Sequence, residues 1–467
     1  MRRRKLAEIV AAKRNDSELA RHERWSRERL FEHQRDRLDA IVRHAAASSR
    51  FYAERYRGLV PENGHVELQA LPAIDKQTFV DRFDDVVTDP SLRSAELLAH
   101  VEGADADVLY RDRYRVIATS GSSGRKALFV YDREAWAMLM GGFLRFNRWA
   151  GAKPAIPRRK LAYVGASGGT HMSRRISASL DVGMHRMLNL SATLPMARIV
   201  DELNRFQPDI MPGFPSMVAA LAGEQLAGLL RISPRAVSTS SELRTAEMTA
   251  RIKAAWGVDP FDLYGVTECG MLAAECERHR GMHLFEDLAI VEVVDADGNP
   301  VPDGETGEQI LVTSLDNTTQ PTIRLAVSDR VAVDPDPCPC GLPMRLLRAV
   351  EGRADDVLHL PTADGRAVAV HPMQFATVAK AREVREFQVV QRGPAVNVRV
   401  VLQSEADADA LERQLTAELT SRLRDLGVAD PVIRFERCDA LERDPATMGK
   451  LKLVVADRRA EAVQHAR

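Results

Sequence analysis

From residue 199 to residue 264 the chain alternates between stretches with helical spacing of apolar residues and short strand-like runs. Few folds accept that alternation. A helix placed between two strands returns the chain to the same edge of a sheet, so the strands pair in parallel. The pattern therefore predicts an α/β fold around a largely parallel sheet. Leu161-Ala162-Tyr163-Val164 followed by Gly165-Ala166-Ser167-Gly168-Gly169 has the same strand, turn and helix character. It imitates a dinucleotide fingerprint but lacks the last spaced glycine. Asp181, the first acid after it, comes too early for a ribose contact, which argues against an NAD site.

Around that centre the rest of the chain takes a coarse outline. Residues 1 to about 60 read as helices, with Leu30, Leu38, Ile41, Val42 and Phe51-Tyr52 as an apolar stripe and the many charges as a solvated face. Residues 71–76 read as a turn into a further helix. Residues 133–150 read as a helix whose Trp136, Met140, Phe143 and Phe146 fill a core, Phe143 and Phe146 also being able to wall a substrate pocket. Between 286 and 315 the pattern changes to a β-hairpin region around Asp297-Gly298. The last 110 or so residues form a separate small α+β unit, with strands at Phe387–Val390, Val396–Leu402 and Val432–Phe435 and one helix marked by Leu411, Leu415, Leu419, Leu423 and Leu426. Polar Gly352–Asp356 lies at the junction. The expected architecture is a large α/β N-terminal domain with mixed sheets and flanking helices (1–352) and a small α+β C-terminal domain (353–467).

Composition limits the function classes. The 467 residues are 45% hydrophobic and 28% charged with a net charge of −1, which argues against a general nucleic-acid binder. No apolar run approaches the roughly 20 residues that span a bilayer. Met-Arg-Arg-Arg-Lys at the N-terminus is not followed by an apolar segment, so it reads as a helix start rather than a secretion signal. Five cysteines do not make a disulfide scaffold, and the expected compartment is the reducing cytoplasm.

Two stretches point to ligands. Thr119-Ser120-Gly121-Ser122-Ser123-Gly124-Arg125-Lys126 sits between two strand-like runs. Its glycines allow a sharp turn, its hydroxyls and N–H groups suit an anion, and Arg125 and Lys126 add positive charge, as a polyphosphate would require. A plain Ser/Gly hairpin turn has the same composition, and the spacing is not that of a Walker loop. The second stretch is Cys338-Pro339-Cys340-Gly341, with Cys276, His279 and His283 upstream. Three thiolates and one imidazole would make a closed tetrahedral Zn²⁺ site, structural because no coordination position stays open. Reduced, inert cysteines fit the spacing as well, and His279 competes with His283. Cys269 and Cys438 have no evident partners.

Asp262-Leu263-Tyr264-Gly265-Val266-Thr267-Glu268 brings a resemblance into view. With the Thr119–Gly124 loop, Asp329, Gly352-Arg353-Ala354-Asp355-Asp356 and Gly449-Lys450, it makes five motifs in the order and spacing of adenylate-forming enzymes. The chain resembles their phenylacetate–CoA ligase and coenzyme F390 synthetase branch over essentially its whole length, including His44–Tyr56. The resemblance implies ATP-dependent activation of a carboxylic acid, expected to be aromatic, as acyl-AMP with loss of pyrophosphate, followed by transfer to CoA, a carrier-protein phosphopantetheine or an amine. It implies that Thr119, Ser120, Gly121, Ser122, Ser123, Gly124 and Lys126 hold the β- and γ-phosphates. Glu268 would ligate Mg²⁺, and Thr267 would contact the α-phosphate. Asp262 and the Ser240-Ser241-Glu242 segment would border the adenine with Tyr264 stacking nearby, Gly265 would belong to the same nucleotide site, and Asp329 with Arg353 would hold the ribose. Lys450 would bridge carboxylate and α-phosphate from a mobile C-terminal domain hinged at Asp355. Members of this branch pair a Cys-x-Cys-Gly turn with an upstream Cys and His, so Cys276, His283, Cys338 and Cys340 are implied as zinc ligands. A homodimer is common in the branch.

The chain also departs from that family. Arg324-Leu325-Ala326-Val327-Ser328-Asp329 lacks the second arginine of the family's motif. The run from His359 to His371-Pro372 replaces a glycine-rich hairpin that approaches the pantetheine arm of CoA. The residues therefore support the first half-reaction better than the second. Two variants stay open beside the ligase: an enzyme of the same class that activates nitrite and diazotises an aryl amine, and a zinc-bearing binding module that has lost catalysis. His171 is a plausible polar contact for the acid, or else a histidine at a helix start.

Overall fold

The computed structural model describes residues 2–102, 105–119, 126–153, 155–166, 169, 171–353, 356–381, 383–403, 407–443 and 449–456. Three helices open the chain, at Arg2–His22, Arg27–Ser48 and Arg50–Arg55. Ser26 caps the second, its hydroxyl accepting from Arg29 N–H. The apolar stripe of this region is buried as expected. Its charges are not all solvated, which corrects the sequence reading. Lys5, Asp16 and His22 are buried. Lys5 pairs with Asp107 at 2.7 Å, Arg148 with Asp16 at 3.3 Å and with Glu23 at 2.6 Å, and His22 Nδ1 lies 2.8 Å from Asp287. The first helix lies across the Arg133–Trp149 helix, and charges trapped between two helices must be paired there.

Next comes an antiparallel hairpin of β1 (Arg115–Thr119) and β2 (Ala127–Tyr131), with Thr119 opposite Ala127. Its tip is the Ser/Gly loop, of which Ser120–Arg125 fall outside the described residues. The helix Arg133–Trp149 follows, capped by Asp132. Then the alternation seen in the sequence becomes β3 (Lys160–Gly165), β4 (Arg186–Ser191), β5 (Ile210–Gly213), β6 (Ala236–Ser240) and β7 (Phe261–Val266). Helices at Met172–Leu180, Met196–Phe206, Pro215–Leu226 and Ala246–Trp256 separate them. These five strands are parallel. Their order across the sheet is β4-β3-β5-β6-β7, so the chain steps first to one side of β3 and then to the other. Ile199, Leu203, Met217, Leu221 and Ile252 pack from the helices onto Val164, Met211 and Val237.

The same sheet grows to nine strands by antiparallel additions: β8 (Gly270–Glu275) and β9 (Met282–Leu284) beside β7, and later strands beyond them. The expected hairpin region is β10 (Ala289–Val294) paired with β11 (Gln309–Ser314), joined by β12 (Leu325–Val327) in a three-stranded sheet. β13 (Asp329–Asp334) and β14 (Leu346–Arg353) complete the large sheet. Gly352 and Arg353, read from sequence as part of a polar junction, instead end β14, where they pair with Arg330 and Asp329. A short hairpin of β15 (Leu358–Pro361) and β16 (Ala367–Val370) leads into a four-stranded sheet of β17 (Val384–Arg392), β18 (Ala395–Leu402), β19 (Val432–Arg437) and β20 (Val454–Val455). The helix Ala408–Asp425 buries Leu411, Leu415, Leu419 and Leu423. They join Leu358, Phe375, Val389 and Val398 in a cluster drawn only from residues 358–454. Among the described residues no helix is long and apolar enough to cross a membrane.

Candidate active site

A parallel sheet offers ligands a crevice where its strand order reverses, beyond the carboxyl ends of the strands. Here that point lies between β3 and β5, where Val164 stands beside Gly213. Both strand ends are glycine for a steric reason. A β-carbon on Gly213 would stand 2.7 Å from Val164 O, and one on Gly165 would run into the Tyr163 ring. The Tyr163 hydroxyl lies under the turn and accepts from Ala166 N–H at 3.0 Å. His171 then caps the helix Met172–Leu180, with Nδ1 accepting from Ser173 N–H at 3.3 Å. That bond leaves the ring proton on Nε2. Burial, with the Lys450 ammonium nearby, pushes the His171 ring down to about 3, so the imidazole is neutral at physiological pH. Lys450 comes from the far end of the chain, and the adjacent Gly449 rests against Ala192 and Thr193 just after β4.

A second group of residues gathers on the turn from β7 to β8. Thr267 O accepts from the Tyr131 hydroxyl at 2.8 Å, and Glu268 O accepts from the Thr322 hydroxyl at 2.9 Å. These bonds tie the turn to β2 and thereby to the base of the Ser/Gly loop. The Asn317–Gln320 segment fixes β2 from its other edge, since Asn317 Nδ2 donates to Val130 O at 3.0 Å and Gln320 Oε1 accepts from Val130 N–H at 2.8 Å. Thr119 and Lys126 thus stand at the two feet of the loop, Lys126 exposed. The Glu268 carboxylate is buried and faces the Lys76 ammonium at 2.6 Å. Tyr264 donates its hydroxyl to Asp329 Oδ2 at 2.6 Å. Asp262 Oδ1 accepts from the Thr239 hydroxyl at 2.7 Å, and burial raises that carboxyl to about 6 against the pull of Arg244. Ser241 holds a left-handed φ of 73° at the end of β6. The side chain of Glu242 is turned away from this face: Ser216 N–H (3.1 Å) and Leu451 N–H (2.8 Å) donate to its two oxygens. Arg353 is placed only by its backbone on β14. Ser120, Gly121, Ser122, Ser123, Gly124 and Asp355 lie outside the described residues.

Cys276, His283, Cys338 and Cys340 converge, with their ligand atoms all within 4.8 Å of one another. Cys276 and Cys338 Sγ are 3.8 Å apart, and Cys340 Sγ is 3.2 Å from His283 Nε2. A tetrahedron with Zn–S bonds of about 2.3 Å has edges of about 3.8 Å, so the donor set fits zinc. His283 Nδ1 donates to Met344 O at 3.2 Å, which leaves the Nε2 lone pair facing the thiols. His279 is outside the cluster; its Nδ1 faces Glu275 at 3.3 Å and its ring packs on Phe261.

Sequence reasoning missed Lys76, the partner of Glu268, and Arg443, which donates to the Ser216 hydroxyl at 2.9 Å. Each is a lone cation at a helix start or in a loop, with no periodicity to single it out.

Residues 31–317 match the AMP-binding enzyme family. The chain belongs to that family. Within it, the chain is an AMP-forming ligase of the phenylacetate–CoA ligase-like branch of adenylate-forming enzymes. Curated relatives include a phenylacetate–coenzyme A ligase from Thermus thermophilus, 26% identical over 379 residues that cover 78% of this chain and 79% of the relative. One from Escherichia coli is 27% identical over 332 residues, covering 66% of this chain and 71% of the relative. The fold is that of a 2-hydroxyisobutyryl-CoA ligase solved in the postadenylation state with 2-HIB-AMP. The TM-score is 0.71 at 20% identity, covering 96% of this chain and 94% of that one. An anthranilate CoA ligase with anthranoyl-AMP aligns at a TM-score of 0.51 and 22% identity, covering 75% of this chain and 67% of the other.

Proposed function

We propose that this ligase activates an aromatic carboxylic acid as acyl-AMP and then transfers the acyl group to coenzyme A. The observation that carries the reading is the approach of Lys450 to His171 and to the end of β4, beside the strand-order reversal. The phenylacetate ligases among the relatives support the substrate class and the acceptor.

In the first step a carboxylate oxygen of the acid attacks the α-phosphorus of ATP, and pyrophosphate leaves. The protein's share is alignment and charge balance. The loop of Ser120–Gly124, with Thr119 and Lys126 at its feet, takes the β- and γ-phosphates. Thr267 contacts the α-phosphate. Asp329 accepts the ribose hydroxyls, its carboxylate held by the Tyr264 hydroxyl, and Arg353 assists. Asp262, Tyr264, Gly265 and the Ser240-Ser241 backbone border the adenine, while the Glu242 side chain points away from it. Lys450 meets the negative charge that builds between carboxylate and α-phosphate. Neutral His171 offers its Nε2–H beside that lysine. Glu268, a buried carboxylate, would hold Mg²⁺, a hard cation that takes oxygen ligands. When bound, Mg²⁺ neutralises phosphate charge, a balance that Lys76 provides to Glu268 otherwise.

The independent core of 358–454 supports a division into an ATP- and acid-binding domain, residues 1–352, and a small domain, 353–467, that carries Lys450 and turns about Asp355 between the two half-reactions. The tetrahedral fit at Cys276, His283, Cys338 and Cys340 supports a structural zinc ion.

The test is chromatography of the nucleotide products with ATP, Mg²⁺ and a panel of aryl acids, with and without CoA. AMP is expected only when the right acid is present, with CoA consumed in step. ADP as the product would sink the reading. Lys450→Ala is expected to lower acid-dependent AMP formation by about a hundredfold or more, the usual order for loss of a group that stabilises developing charge.

A further inference from the structure

We propose that Glu242 and Arg443 form a latch that locks Lys450 in place for acid activation and lets go before the thioester step. This rests on the ligase reading above. Lys450 is one residue in a loop, and a lysine side chain is too flexible to aim itself. Its backbone neighbours are held on both sides. After it, Leu451 N–H donates to Glu242 Oε1 at 2.8 Å. Before it, Gly449 O accepts from Arg443 Nη1 at 3.3 Å. The two arms meet at Ser216: its N–H donates to Glu242 Oε2 at 3.1 Å, and its hydroxyl accepts from Arg443 Nη1 at 2.9 Å. Arg443 is in turn kept in position by Glu386 Oε2 at 3.2 Å.

Two of these bonds cross between the units, Glu242 to Leu451 and Arg443 to Ser216. The rest lie within one unit and orient the crossing groups. Glu242 is half-buried and follows Ser241, whose left-handed backbone aims it away from the adenine-facing side. Its carboxylate also stands at the N-terminus of the Pro215–Leu226 helix, where a negative charge is favoured. A carboxylate held by two backbone N–H groups is costly to strip of one partner, yet cheap to release into water. The latch therefore opens as a unit when the small domain swings and water reaches Glu242, rather than fraying one bond at a time. Glu242 and Arg443 are positioning residues; neither is assigned contact with the reacting atoms.

The experiment separates the two half-reactions. Glu242→Gln keeps the size of the side chain but sets an amide N–H against one of the two backbone donors. Acid-dependent exchange of pyrophosphate into ATP is expected to fall roughly tenfold to a hundredfold, the order for losing one hydrogen bond to a charged group. The KM for ATP should hold. Thioester formation from synthetic acyl-AMP and CoA should keep the wild-type rate or exceed it, and that activity also proves the variant folded. Arg443→Met should repeat the split. The double variant should lose little beyond the larger single loss, because both residues serve one closed state. Equal losses in both half-reactions, or an unchanged exchange rate, would overturn the latch. A wild-type enzyme with neither acid-dependent exchange nor use of acyl-AMP would instead sink the ligase reading, and the latch with it.

Discussion

Asp287 is fully buried, and its two oxygens are taken by Arg145 at 2.9 and 2.5 Å and by His22 at 2.8 Å. Burial alone would raise its pKa, but the Arg145 guanidinium and His22 hold it well below the ordinary carboxylate range. Removing the acid strands a buried guanidinium. Asp287→Ala is therefore expected to cost about 3–5 kcal/mol in urea unfolding, far more than truncation of an exposed acid. Nothing in the sequence marks Arg145, which stands between Leu144 and Phe146 like any charged residue on a helix. Burial of a charge depends on which helix crosses over it, and local spacing does not encode that. His171 gives a pH prediction at the same scale. Its folded pKa is depressed to about 3, so its neutral form contributes stability above the ordinary value of 6.5, and that contribution is lost as pH falls through the window from 6.5 to about 3. Stability measured down that window should fall less steeply in His171→Gln than in the wild type.

At the scale of elements, the β7–β8 hairpin joins two sites. Its closed end carries Thr267 and Glu268, and Cys276 follows its open end, a strand length of about 20 Å away. His283 lies on β9 opposite Ala274, and Cys338 and Cys340 lie in the connection from β13 to β14. A metal there would clamp two connections and one strand of the large sheet while touching no reacting group. One zinc ion per chain is the expected stoichiometry by metal analysis. Cys338→Ser is expected to abolish it and to lower the melting temperature, with a smaller effect on the KM for ATP in what remains folded. The elements themselves were largely legible. The parallel strands, the β10–β11 hairpin and the Ala408–Asp425 helix all follow from period and turn residues. The end of β14 did not, because Gly352 and Arg353 are polar and their strand character comes from pairing with Arg330 and Asp329.

For the whole molecule, the boundary after β14 is crossed by polar contacts. Arg251 donates to Val384 O and Arg385 O, both at 2.6 Å, and Arg385 pairs with Glu224. Polar interfaces of this kind separate at low cost. A fluorescent pair, one label on the exposed side of the Ala408–Asp425 helix and one on the Arg27–Ser48 helix, should therefore report a distance change when CoA is added to enzyme loaded with acyl-AMP. No change would argue against rotation of the small domain. In the sequence the shift in pattern near residue 352 suggested a second unit, and the separate core cluster of 358–454 supports that division. The sequence could not show how Glu242 and Arg443 meet, since they stand 201 positions apart in number and neither belongs to a periodic pattern.

The paired glycines at the ends of β3 and β5 bear on how such a protein could change its diet. A side chain at Gly213 would collide with Val164 O and Val218, and one at Gly165 with Tyr163. The floor of the crevice is thus bare backbone and closed to adjustment. Any retuning toward a longer, shorter or more polar acid has to be written into the walls, so natural divergence and laboratory selection should both accumulate their changes there and leave the two glycines untouched.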